Sequence, residues 1–205
     1  QKEILFLFGK SRQSIEAGPY LEALKARSLE VLLLTEPVDE YVMQSVREYK
    51  EKKIISADSD ELKLEKLDQE PEGKALNKKD TKSLCKWLKE SLKEKVSEVE
   101  TGDRLIDSPV CIVGGDGLGG ASARRVMKMM QGADDGMPTS PVKLQVNQRH
   151  PIIKGLSKLI ESDKETAELI ANQLLDNALA TANLLDDPRE MIARSYKAIE
   201  KLANQ

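Results

Sequence analysis

The chain has 205 residues and a mass of 22.8 kDa, enough for one large domain or two small ones with cores of their own. Charged residues make up 33% and apolar residues 40%, a mixture that suits a soluble, helix-rich protein with much wetted surface. A net charge of −3 with only seven aromatic residues argues against a nucleic-acid binder, and no apolar run approaches the roughly 18 residues of a membrane span.

The first 57 residues alternate strand and helix. Ile4-Leu5-Phe6-Leu7-Phe8 is an unbroken apolar run, as a strand covered on both faces requires. Helical sequence over residues 12–27, interrupted by Gly18-Pro19, leads to a second run at 29–34, apolar but for Glu30. Thr35-Glu36-Pro37 then opens a helix, with proline near the first turn where its missing N–H is harmless. Val38, Tyr41, Val42, Val46 and Tyr49 give that helix one apolar stripe. Lys53-Ile54-Ile55-Ser56 is a third, shorter strand. This βαβαβ order predicts a small parallel sheet with helices packed on it.

Residues 58–80 are rich in Asp, Glu and Lys, with Pro71 and Gly73 among them. They read as a solvated linker holding one short ordered segment near 62–67. The expected division is therefore a first domain over 1–70 and a second over 71–205.

The second half begins with a helix over 80–96, where Leu84, Leu88, Leu92 and Val96 recur every fourth residue and the other face is lysine and glutamate, a wetted surface. A strand at Val110–Val113, a glycine-rich bend, a short helix at 121–131 and a strand at Val142–Val146 follow. Helices at Pro151–Ser162, 164–184 and 188–203 close the chain. The fold class is α+β, a mixed α/β chain: a small αβα sandwich, then an α/β domain ending in a helical bundle.

Two glycine motifs mimic phosphate-binding loops. Gly9-Lys10-Ser11 follows a strand, but the glycine that a P-loop needs five positions earlier is Ile4, inside that strand. Gly115-Asp116-Gly117-Leu118-Gly119-Gly120 satisfies GxGxxG between a strand and a helix. No second strand ending in an acidic residue lies about 20 residues on, so the bend reads as a hinge. A nucleotide-dependent enzyme using this loop is the alternative function. Other catalytic schemes lack parts. The one histidine, His150, precedes Pro151 and reads as a helix-start residue, and no nucleophile motif accompanies it. Cys85 and Cys111 lie far apart without a CxxC, which excludes structural zinc. The chain opens Gln1-Lys2-Glu3 without methionine, directly before a strand, and reads as a fragment of a longer protein.

Four of the six methionines, Met127, Met129, Met130 and Met137, fall in or beside the helix at 121–131, where Ala123, Val126, Met127 and Met130 form an apolar face. Methionine is flexible and polarisable and recurs on surfaces that accept many partners; packing on the domain is the other reading. In the last two helices, Ala167, Ile170, Ala171, Leu174, Ala178 and Ala182 form a small-residue stripe. Met191, Ile192, Ser195, Tyr196, Ile199 and Leu202 line the next helix, and Asp186-Asp187-Pro188 caps it. Either an intrachain core covers these stripes or a two-fold partner completes a four-helix bundle.

Several strings together resemble one family, the ATP-dependent heat-shock protein 90 chaperones. They are Glu30-Val31-Leu32-Leu33-Leu34-Thr35-Glu36-Pro37-Val38-Asp39-Glu40-Tyr41, then Arg104-Leu105-Ile106-Asp107-Ser108-Pro109 with Cys111-Ile112-Val113. Arg125-Val126-Met127-Lys128, His150-Pro151-Ile152-Ile153-Lys154 and Asp187-Pro188 follow in the family's order. The resemblance implies the end of the middle domain followed by the C-terminal dimerisation domain. It implies a homodimer joined through Ile170, Leu174, Ala178, Ala182, Met191, Ile192, Tyr196 and Ile199. It also implies contact with partly folded client proteins through Val126, Met127, Met129 and Met130. ATP and Mg2+ are implied for the full-length family only; this fragment is expected to hold no cofactor or metal and to catalyse nothing. The chain ends Leu202-Ala203-Asn204-Gln205, without the acidic MEEVD tail that docks tetratricopeptide co-chaperones, so no such partner is expected. The ending resembles the bacterial and organellar branch. The expectation is a mitochondrial location, with the bacterial cytoplasm as alternative.

Overall fold

The computed structural model describes residues 1–65, 67, 73–114, 141–185 and 187–204, without the side chains of Glu40 and Gln44. The fold is mixed α and β, and the chain divides into two compact units. The described part of the first comprises residues 1–65 and 67, with 103–106 and 113–114; the second comprises 73–102, 107–112, 141–185 and 187–204.

In the first unit, strand β1 (Ile4–Phe8) is central, with a neighbour on each side to pair its backbone, and its middle residues Leu5, Phe6 and Leu7 are buried. The sheet order is β2-β1-β4-β3, where β2 is Val31–Leu34, β3 is Glu48–Tyr49 and β4 is Lys52–Ser56. Strands β2 and β4 both run parallel to β1, with Phe6 opposite Leu32 and Leu5 opposite Ile55. Helices α1 (Arg12–Glu16) and α2 (Glu22–Lys25), joined by a 3-10 turn at Pro19–Leu21, cover one face. Leu5, Leu7 and Ile55 pack there against Ile15, Leu21, Leu24 and Leu62. The period of two in a strand puts Ile4, Phe6, Phe8, Leu32 and Leu34 on the other face. Phe6 is buried there, but Leu32 is exposed.

Helix α3 (Pro37–Ser45) departs from expectation in two ways. It ends at Ser45, and Tyr49 belongs to an antiparallel hairpin of β3 with β4. The turn places Lys50 and Glu51 at φ 47° and 64°; neither is the glycine or asparagine that normally announces such a turn. The apolar stripe of α3 also lies at the surface, with Val38, Tyr41, Val42 and Val46 all exposed.

The chain beyond β4 is not a free linker at its start. Ala57, Asp58 and Leu62 are buried. The Arg104 guanidinium, itself buried, donates to the carbonyls of Ala57, Ser59 and Leu62 at 2.7, 2.5 and 2.8 Å. Asp60 N–H donates to Gly114 O at 2.8 Å and Gly114 N–H to Asp58 O at 2.7 Å. The charged composition concealed this anchoring, because an arginine 42 residues away in sequence supplies it.

In the second unit, Asn77 caps α4 (Lys78–Leu92) by accepting from Asp80 N–H at 2.9 Å. Leu84, Leu88 and Leu92 point into the core. Val96, expected as the last residue of that helix stripe, instead opens β5 (Val96–Thr101), because Lys93 adopts φ 48° and ends the helix. The sheet order is β5-β7-β6, with β6 at Val110–Val113 and β7 at Val142–Val146. Strand β5 runs parallel to β7, with Val99 opposite Leu144. At the end of β5, a Cβ on Gly102 would lie 2.1 Å from the Gln145 side-chain amide, which would have to move to admit it. Helices α5 (Pro151–Ser162), α6 (Lys164–Thr181) and α7 (Arg189–Ala203) complete the unit. Ile153 and Leu156 of α5 join Ala167, Ala171, Leu174, Leu175 and Ala178 of α6 in the same core.

A candidate interaction surface on the C-terminal helix

Helix α7 is the only one of these elements of the second unit that buries no residue. Pro188 precedes its first turn, and Asp187 accepts from Arg189 N–H at 2.9 Å. The Asp187 carboxyl is held below the usual carboxylate value, chiefly by its hydrogen bonds with the Arg189 side chain and amide. Asp187 thus satisfies the first amide of α7, although the N-cap position itself is Pro188 and makes no side-chain cap bond.

Polar bonds tie α7 to α6. Arg194 Nε donates to Asp176 Oδ2 at 2.8 Å, with side-chain exposures of 21% and 8%. Two turns on, Lys201 Nζ donates to Thr166 Oγ1 at 2.8 Å and lies 3.5 Å from Glu165. To one side of this contact an open groove of about 890 Å³ is lined by charged groups, among them Glu165, Glu168, Glu190 and Lys197. On the other side lie Ile192, Tyr196, Ile199 and Leu202, which keep 45, 68, 55 and 71% of their surface exposed. Spacings of four, three and three residues put all four on one face. An apolar stripe facing water along a helix held by ion pairs is the arrangement expected of a surface made for another molecule.

The sequence-derived interface residues separate into two groups. Leu174, Ala178 and Ala182 lie in the core of the second unit, and Ile170 is half-buried against it. Met191 is half-buried, whereas Ile192, Tyr196 and Ile199 are exposed. The small-residue stripe of α6 therefore serves the protomer's own core, and α7 presents the free surface, extended by Leu202. Val126, Met127, Met129 and Met130, the residues expected to contact clients, lie outside the described residues, as does the glycine motif at 115–120.

A second exposed apolar surface belongs to the first unit: Val38, Tyr41 and Val42 of α3, with Val46 and Tyr49 beyond its end. The remaining chemical candidates have structural duties. Ser11 of the Gly9-Lys10-Ser11 motif caps α1, accepting from Ser14 N–H at 3.1 Å, and a Cβ on Gly9 would lie 2.6 Å from Ile15. His150 Nδ1 accepts from Ile152 N–H at 3.1 Å and caps α5, as its position before Pro151 suggests. Cys111 is buried; Cys85 is half-buried, and burial followed by the nearby Glu100 pushes its thiol pKa up, away from the reactive thiolate.

Comparison with known proteins adds the following. The family described as "Hsp90 protein" matches residues 1–205. The chaperone protein HtpG of Desulfotalea psychrophila is 36% identical over 211 residues, covering 100% of this chain and 34% of the relative. HtpG of Desulfitobacterium hafniense is 38% identical over 202 residues, covering 98% and 32%. The mitochondrial heat shock protein 75 kDa of Bos taurus is 34% identical over 208 residues, covering 98% and 29%. The chain thus spans about a third of the length of these relatives.

Proposed function

Since the chain belongs to the Hsp90 family, whose matched bacterial members are named chaperones, we propose that it joins two copies of a chaperone and offers apolar surface to partly folded proteins. The observation that carries this reading is the α7 stripe of Ile192, Tyr196, Ile199 and Leu202, exposed on a helix with no fully buried residue. Fully burying a large apolar side chain stabilises by roughly 1.5–3 kcal/mol. Four half-exposed ones offer on the order of 5 kcal/mol to a partner that covers them. A second α7, related by a two-fold axis, presents the same stripe and is self-complementary to it. In this arrangement α6 supports the interface from behind, and α7 supplies the contact.

Binding of partly folded proteins is supported by exposed apolar side chains on α3, where Val38, Tyr41 and Val42 lie at the surface. The reading also includes Val126, Met127, Met129 and Met130, because methionine is adaptable enough to meet many partners. ATP and Mg2+ are assigned to sequence of the whole protein outside these 205 residues. The location proposed is the mitochondrion, with the bacterial cytoplasm as alternative; mitochondrial and bacterial relatives support the two.

Light scattering of the chain with Ile192 and Ile199 both changed to Asp tests self-association, and a mass unchanged by the substitutions rejects α7 as the contact. For the second role, the whole protein carrying Tyr41→Ser and Val42→Ser is compared with Met127→Ser and Met130→Ser in suppressing aggregation of a denatured protein. Full suppression by both variants rejects it.

A further inference from the structure

Helix α4 carries a block of like charge that neither the fold nor the proposed function uses. Residues 78–95 hold seven lysines and three carboxylates, a net +4 in a chain whose total is −3. At 100° per residue, Lys78, Lys82, Lys86 and Lys89, with Lys93 at the helix end, fall within about 80° of arc on a stripe roughly 20 Å long. All five are exposed.

Among the described residues only Lys86 of the five has an ion-pair partner, Glu90 at 3.8 Å, and both of those side chains are largely in water. Asp80 is taken up by Asn77, whose amide donates to it at 2.7 Å. Glu98 and Glu100 on β5 are taken up by Lys143, at 3.5 and 3.0 Å. Lysines three and four residues apart therefore repel one another along the helix, where alternating signs would stabilise it. Leu84, Leu88 and Leu92 hold the helix in place despite this.

We propose that the α4 stripe docks an acidic, extended polypeptide segment. Lysine heads are point charges on flexible stems, which follow irregularly spaced carboxylates, whereas recognition of phosphate favours the arginine fork; the stripe contains no arginine. It also lacks exposed aromatic rings on which nucleic-acid bases would stack, since Trp87 is half-buried and lies off the stripe. No large apolar side chain lies among the five lysines to enter a lipid surface. An extended chain of about six residues spans 20 Å, so the stripe matches a short acidic run in a partner.

The test is fluorescence anisotropy with the 205-residue chain, at low salt where surface charges are little screened. The probes are a glutamate-rich peptide of about twelve residues, an oligothymidylate of equal charge, and vesicles of phosphatidylserine with phosphatidylcholine. The peptide is expected to bind the unsubstituted chain more tightly than the other two probes and to dissociate as salt rises. Lys82→Gln, Lys86→Gln and Lys89→Gln combined should weaken it about tenfold. Absence of peptide binding, tighter binding of the oligonucleotide or the vesicles, or equal affinity in the triple variant overturns the proposal. A control with all three lysines changed to Arg keeps the charge and should keep the binding; loss of binding there counts against a purely electrostatic stripe.

Discussion

Arg194 and Asp176 form an ion pair, Nε to Oδ2 at 2.8 Å with side-chain exposures of 21% and 8%, and this pair ties the C-terminal helix to its neighbour. The consequence is a division of labour within the helix pair, in which α6 gives its apolar residues to the protomer core and α7 keeps its own for the outside.

The two halves of that pair are not equivalent. Arg194 is more exposed than Asp176 and can turn to water when its partner is lost. Asp176 cannot, so removing Arg194 strands a carboxylate in the interior. Arg194→Met is expected to cost about 2–3 kcal/mol and Asp176→Asn about 1 kcal/mol. Urea unfolding of the two variants measures the order, and a larger loss for Asp176→Asn contradicts it.

Arg104 is the tie that holds the 57–62 segment. Its replacement by Met removes three charge-assisted bonds to buried carbonyls, at an expected cost of about 3 kcal/mol. The local readout is hydrogen exchange. The amides of Asp60 and Gly114, which donate to Gly114 O and Asp58 O, should lose protection before those of β1. Unchanged protection at both amides contradicts the assignment.

Leu174 and Ile199 should answer the same substitution differently. Leu174→Asp buries a charge in the core of the second unit and is expected to unfold it, with a loss above about 4 kcal/mol. Ile199→Asp leaves thermal stability at low protein concentration nearly unchanged and removes self-association. Circular dichroism melting separates the cases, and a folded Leu174→Asp chain contradicts the burial.

The start of α6 carries a pH dependence. The Asp163 carboxyl is held below its ordinary value of 3.8, first by the Thr166 hydroxyl and then by the Thr166 amide. A depressed folded-state pKa means that the cap stabilises fully above the ordinary value and is lost as pH falls through the lower, folded one. Comparing melting temperatures at neutral and strongly acidic pH, the drop should be smaller for Asp163→Asn than for the unsubstituted chain. An equal drop removes this contribution.

Much of the fold was legible because apolar period and strand length agree locally. Strands β1 and β2, the Leu84/Leu88/Leu92 stripe, the His150 cap and the three last helices all follow from neighbours in sequence. What was not legible depends on distant partners or on backbone conformations without a sequence mark. Tyr49 fitted a helical stripe until two residues of positive φ turned the chain into a hairpin. Val96 continued a leucine period that Lys93 broke. Asp58 and Ser59 looked like the start of a linker because Arg104, which anchors that segment, is far away in sequence. At the candidate surface, periodicity gave Leu174 and Ile199 equal claims on a partner; it records that a side chain seeks burial, but not whether its own chain provides it.

Sedimentation equilibrium of the 205-residue chain at micromolar concentration is the most direct test. The reading of α7 as a self-complementary surface predicts a species of twice 22.8 kDa that reverts to 22.8 kDa when Tyr196 and Ile199 are both changed to Asp. A single species of 22.8 kDa at every concentration, before any substitution, contradicts it.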